Sequence, residues 1–182
     1  MYNLYNRFYS NPEWDSGLHI EVVDSKLVVR VPAKILDVCA SIQERVTTEF
    51  LVAVKATIGK EVVVGSNFYI PKQKATTASV NVEESIGGWN AVIHSHPQGM
   101  PSFSVIDIES INANNDLSIL YEGGSFRVAT VRLQKDGLVV LCKTTNIQVV
   151  LERNVLDVDV SNIQQVGYKS YYLQGSEDIF YF

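Results

Sequence analysis

At 182 residues and 20.3 kDa, with 46% apolar, 19% charged and 10% aromatic residues, the chain has the size and composition of one folded domain. That composition excludes a disordered, collagen-like or coiled-coil protein, and a single core at this length buries about 70% of the surface an unfolded chain exposes. A net charge of −5 and a pI near 5.2 argue against electrostatic binding to nucleic acid or an anionic membrane.

The start, MYNLYNRFYS, is aromatic and polar with no apolar h-region, so it does not read as a signal peptide. No run of apolar residues is long enough to span a bilayer. Cys39 and Cys142 form no CxxC pair and read as buried, reduced core residues of an intracellular, cytoplasmic protein. Eleven of the eighteen aromatic residues crowd the first 14 and last 15 positions, from Tyr2, Tyr5, Phe8, Tyr9 and Trp14 to Tyr168, Tyr171, Tyr172, Phe180, Tyr181 and Phe182. Disordered tails are poor in aromatics, so both arms are expected to pack on their own domain or to make a homodimer or partner contact.

Between the arms, LHIEVV and KLVVRV alternate with period two and predict a hairpin across Asp24-Ser25. Pro32 then opens a helix in which Ile35, Val38, Cys39, Ile42 and Val46 form one apolar face. FLVAVKA and EVVVGSNFYI flank Ile58-Gly59-Lys60 and predict a second hairpin. Pro71 to Gly88 is a polar, turn-rich connection with one short strand candidate, ASVNV. AVIHSH is a strand followed by a Pro/Gly loop and a short helix starting near Ser104. SILY, FRVATVRL and LVVLCK are further strands with turns at Gly123-Gly124 and Asp136-Gly137, and residues 146–160 begin extended and then lose their pattern. The expected fold class is α/β (α+β), a mixed sheet flanked by helices.

Two of the three histidines are His94 and His96. On a strand, residues two apart project from one face with Cα atoms roughly 6.5 Å apart, so both imidazoles reach one ion while Ser95 points away. The following loop leads into a helix whose first turn carries Asp107, a carboxylate able to complete a His/His/Asp set. Three nitrogen and oxygen ligands with an open fourth position describe a catalytic zinc site rather than a structural one. A His-x-His on a strand is common without metal, however, and Ser104-Val-Ile-Asp107 is also a capping box, which suffices to explain both residues at a helix start.

The pattern H-S-H-x7-S-x2-D over His94, Ser95, His96, Ser104 and Asp107, with Pro97 after the second histidine, resembles the signature of the JAMM (MPN+) metalloprotease family. Glu49, between the amphipathic helix and an apolar strand, stands where the family has an upstream glutamate. The segment from Ile70 to Val80 is similar to the family's connection before the histidines, whereas Phe103 stands where many prokaryotic members have proline before the motif serine. The resemblance covers about residues 26–145. It implies a curved mixed sheet of the cytidine-deaminase-like kind and zinc held by His94, His96 and Asp107, activating a water. It also implies Glu49 as general base and then acid, with Ser104 donating to the oxyanion. The implied activity is hydrolysis of a peptide or isopeptide bond at the C-terminal tail of ubiquitin or a ubiquitin-like or sulfur-carrier protein. The corresponding division is an aromatic N-terminal arm and hairpin strand over 1–25, a catalytic domain over 26–150 and an aromatic C-terminal extension over 151–182. Residues 71–87 are the segment against which such a substrate tail would lie as an added strand. The rival readings are a phage- or virus-type processing metallopeptidase, a non-catalytic MPN scaffold, and a zinc deaminase, whose P-C-x-x-C ligand pair the sequence lacks.

Overall fold

A computed structural model describes residues 21–104, 107–108, 115–135, 137–151 and 158–166. The aromatic arms and His19 lie outside them. In chain order the described elements are β1 (Glu21–Asp24), β2 (Val29–Pro32), α1 (Ala33–Arg45), β3 (Leu51–Ile58), β4 (Val62–Tyr69), β5 (Gln73–Ala75) and β6 (Val80–Val82). They continue with β7 (Ala91–Ser95), β8 (Leu117–Glu122), β9 (Ser125–Lys135), β10 (Leu138–Thr144), β11 (Ile147–Val150) and β12 (Ile163–Gln165). The architecture is mixed α/β. Nine strands form one mixed sheet in the order β1-β10-β9-β8-β7-β3-β4-β2-β11, and β12-β5-β6 form a second.

Pro32 stands at the N-cap of α1, and Ile35, Val38, Cys39 and Ile42 are fully buried on the apolar face that the sequence spacing defines. Arg45 in the last turn suits the negative end of the helix dipole, and the Val46 N–H closes the helix on the Ile42 carbonyl at 3.0 Å. The central strands β7 and β8 pair in parallel and every residue of both is buried, as expected of strands covered on both faces. Antiparallel β3 joins β7 on its other side, in register Leu51↔His94. Cys39 and Cys142 both lie in the core, as expected.

The hairpin expected across Asp24-Ser25 does not form. β1 instead pairs in parallel with β10, and β2 in parallel with β11 and β4. Alternating apolar residues specify a strand and its face, not its partner, and a tight two-residue hairpin favours left-handed turn residues such as Asn-Gly, which Asp24-Ser25 lacks. The chain runs on alongside the 138–150 segment. The Ser25 N–H donates to the Lys143 carbonyl (2.7 Å), the Thr144 hydroxyl to the Leu27 carbonyl (2.8 Å) and the Val29 N–H to the Asn146 carbonyl (3.0 Å). The same two segments therefore supply both ends of the sheet, which curls. By contrast, the β3–β4 hairpin forms as predicted, and the β8–β9 hairpin turns on Gly123 and Gly124 with φ of 58° and 83°, the backbone a type I′ turn requires.

The Pro71 to Gly88 connection holds more order than its composition signals. Besides β6, it contains β5, and β12 from the 151–182 extension adds in parallel to β5. Gln73 ties this small sheet to the large one. Its fully buried amide accepts from the Leu51 N–H at 2.8 Å and donates to the Leu51 carbonyl at 2.9 Å. Val158 and Ile163 are buried in the core, so the extension is in part integral to the fold. Among the described residues, no helix is long and apolar enough to cross a membrane.

Candidate metal centre

The centre forms where β7 ends. His94 lies within β7 and His96 one residue past it, and the His96 N–H donates to the Tyr121 carbonyl of β8 at 3.1 Å. Ser95 faces away, as the strand period requires. Its hydroxyl accepts from the Phe50 N–H at 2.9 Å and its N–H donates to the Phe50 carbonyl at 2.9 Å. Phe50 opposite Ser95 extends the Leu51↔His94 register, so the next residue back, Glu49, comes across from His96. Because β3 and β7 are antiparallel, the start of one and the end of the other meet at the same edge of the sheet.

Asp107 reaches the same place from the far side of the Pro97–Phe103 loop. Its Oδ1 is 3.3 Å from His94 Nε2 and its Oδ2 3.2 Å from His96 Nε2, while the two Nε2 atoms are 3.2 Å apart. Four atoms thus converge, one nitrogen from each imidazole and both oxygens of one carboxylate. Ligands about 2.0–2.1 Å from a tetrahedral zinc are separated by about 3.3–3.4 Å, the edge of the tetrahedron. One ligand atom from each of the three residues lies within 4.8 Å of the other two, a grouping that could hold a metal ion. All three side chains are buried or half-buried.

The helix start holds Asp107 in place. The Ser104 N–H and hydroxyl both donate to Asp107 Oδ2 at 2.6 Å, and the Asp107 N–H donates back to the Ser104 hydroxyl at 3.2 Å. The capping box is thus present at Ser104, and it coexists with the approach of Asp107 to the histidines rather than competing with it. Asp107 and Ile108 are helical. Phe103 packs its ring 5.4 Å from that of His94, so an aromatic side chain borders the histidine pair.

Burial acts to raise the Asp107 pKa, but hydrogen bonds from His94, His96 and Ser104 outweigh it and hold the carboxyl well below the usual range. Glu49 behaves oppositely. It is 8% exposed, and burial pushes its carboxyl up to about 7; His96 opposes that rise and Asp107 adds to it. A carboxyl that takes and releases a proton near neutrality is suited to general acid–base work. For His96, burial acts to lower the pKa and the neighbouring Asp107 and Glu49 raise it, with a net rise.

His94, His96, Asp107, Glu49 and Ser104 are thus brought to one end of β7, with Ser104 hydrogen-bonded to Asp107 rather than pointing into open space. One residue that holds this arrangement escapes a sequence reading. Gln73 fixes the start of β3, but a buried glutamine carries no pattern, and Ser95 is legible only as the residue facing away between two histidines. No protein-family model matches the chain, and no curated protein matches it.

Proposed function

We propose that the chain is a JAMM-type zinc metallopeptidase. It hydrolyses a peptide or isopeptide bond at the C-terminal tail of ubiquitin or of a ubiquitin-like or sulfur-carrier protein, on a sheet of the cytidine-deaminase-like kind. The observation that carries this reading is the cluster in which His94 Nε2 stands 3.3 Å from Asp107 Oδ1, His96 Nε2 stands 3.2 Å from Asp107 Oδ2 and the two Nε2 atoms are 3.2 Å apart, beside a buried Glu49 whose carboxyl burial pushes up to about 7.

A bound zinc supplies Lewis acidity, activating water and polarising the scissile carbonyl. The chain's own residues do the rest. Glu49 takes the proton from the attacking water and returns it to the departing amine, which requires a group that is ionised in one step and protonated in the next. Ser104 turns its hydroxyl from Asp107 to the oxyanion, a donation typically worth about 3 kcal/mol. The two histidines and Asp107 hold the ion by nitrogen and oxygen atoms only, which keeps it electrophilic.

The non-catalytic scaffold reading gains nothing from this geometry, since a scaffold needs neither the ligand cluster nor the raised Glu49. The test is incubation of the purified protein with linear and lysine-linked ubiquitin-like fusions, with and without a chelator. Cleavage abolished by chelator and restored by zinc is expected. No cleavage of any fusion by zinc-loaded protein would contradict the activity.

A further inference from the structure

The neighbour of β7 ends in a buried carboxylate that the chemistry above leaves unused. Glu122, the last residue of β8, is 4% exposed and directly follows Tyr121, whose carbonyl accepts the His96 N–H. Its Oε1 accepts from the Gly99 N–H at 2.6 Å and its Oε2 from Arg127 Nε at 2.7 Å. Both oxygens are thereby engaged, as a buried charge requires. Gly99 is the third residue of a turn from Pro97 to Met100, closed by the Met100 N–H on the Pro97 carbonyl at 3.2 Å. Its φ of 92° is that of the type II turn position that favours glycine. The carbonyl that follows, Met100 O, stands 3.2 Å from His96 Nδ1. As an acceptor it holds a proton on Nδ1, so that the imidazole in its neutral form carries its lone pair on Nε2, the atom that faces His94 and Asp107.

We propose that Glu122 is a positioning residue for the metal centre. By holding the Gly99 N–H it fixes the Pro97–Met100 turn, so that the Met100 carbonyl keeps His96 in the Nδ1–H tautomer with Nε2 aimed at the ion. The proposal rests on the zinc reading above and adds to it a carboxylate outside the JAMM motif, four links from the metal. The simpler role for Glu122 is to brace the β8–β9 hairpin through Arg127, which follows it by five residues. The two roles differ in one respect. A brace acts on the whole fold, whereas a positioning residue acts through His96.

The experiment measures zinc affinity by competition with a chromogenic chelator, together with the visible spectrum of the cobalt-loaded protein. Glu122→Met is expected to bind zinc about 10- to 100-fold more weakly, the range for loss of an outer partner of a ligand, and to shift the cobalt bands. In a His96→Ala background the same replacement is expected to weaken residual zinc binding no further. Should Glu122→Met fail to fold alone, the Glu122→Met/Arg127→Met pair removes both charges together and carries the same expectations. Wild-type zinc affinity and cobalt bands in the folded variant would overturn the proposal, as would an equal loss with and without His96. A wild-type chain that binds no zinc would overturn the zinc reading itself, which separates the two failures.

Discussion

Asp107 Oδ2 lies 2.6 Å from the Ser104 hydroxyl and 3.2 Å from His96 Nε2, so a single carboxylate oxygen both closes a helix cap and faces the histidine pair. The other oxygen, Oδ1, faces His94 at 3.3 Å. The cap orients a potential ligand that would otherwise swing freely on its loop, and the S-x-x-D spacing that makes the cap is the spacing that sets the ligand.

Ser104→Ala separates these two duties. Losing the cap is expected to lower stability by about 1 kcal/mol. Because the Ser104 N–H still holds Asp107, zinc content should persist while kcat falls about 10²- to 10³-fold. Zinc loss as complete as in Asp107→Ala, measured by metal analysis of the purified variants, would confine the hydroxyl to holding Asp107.

Glu49→Gln is expected to abolish turnover and keep zinc, since Glu49 is not one of the three clustered residues His94, His96 and Asp107. It should also stabilise the metal-free protein at alkaline pH. The folded chain holds the Glu49 proton more tightly than the unfolded one, so the stability this group contributes is complete below its ordinary value of 4.5 and is lost as pH rises through about 7. Thermal melts of the metal-free proteins should therefore converge below 4.5, part as pH rises to about 7 and stay apart above it. Loss of zinc from Glu49→Gln would show that the carboxylate is a ligand.

Zinc should reverse this pH trend. His96, with its raised pKa, likewise stabilises the metal-free fold below its ordinary 6.5 and loses that contribution as pH rises through the folded value. Metal binding needs the deprotonated imidazole and displaces its proton, so the rise in Tm caused by excess zinc should widen from about pH 5.5 to about pH 7.5. A zinc-induced rise independent of pH would mean that the ion binds somewhere without histidine.

The small sheet offers a test of substrate binding. The Thr76 N–H donates to the Ser79 carbonyl and the Glu83 N–H to the Lys72 carbonyl. The bonded pairs of the β5–β6 hairpin thus alternate with the Ala75↔Val80 and Gln73↔Val82 pairs, whose N–H and C=O groups point outward. Among the described residues β6 is an edge strand of its sheet, so an extended peptide tail can add to it through Val80 and Val82. Val80→Pro removes one outward donor while leaving the hairpin ladder intact. It should lower kcat/KM on protein substrates with zinc content unchanged. Unchanged kinetics on every cleaved substrate would remove β6 from the binding surface.

Much of the site was legible because its rules are local. Two histidines at i and i+2 on a strand share a face whatever the strand pairs with, and Ser104 and Asp107 share a helix start. Glu49 was legible only through resemblance, because its place opposite His96 depends on the β3–β7 pairing, a long-range choice. The same limit explains the failed β1–β2 hairpin, since period two marks Val22 and Val29 as strand residues without saying that they pair with β10 and β11. β5 was missed because Gln73-Lys74-Ala75 lacks the apolar branched residues that mark strands, its burial being stabilised by the Gln73 amide on the Leu51 backbone. Glu122 carries no pattern and emerges only from its contact with Gly99.

The most direct test of the account is zinc stoichiometry in the purified protein and its ligand variants, with folding checked by circular dichroism. The account predicts one tightly bound zinc per chain in the wild type, and loss of that zinc in folded His94→Ala, His96→Ala and Asp107→Ala. A wild-type chain that binds no zinc, or zinc retained at full stoichiometry and affinity in all three variants, would contradict it.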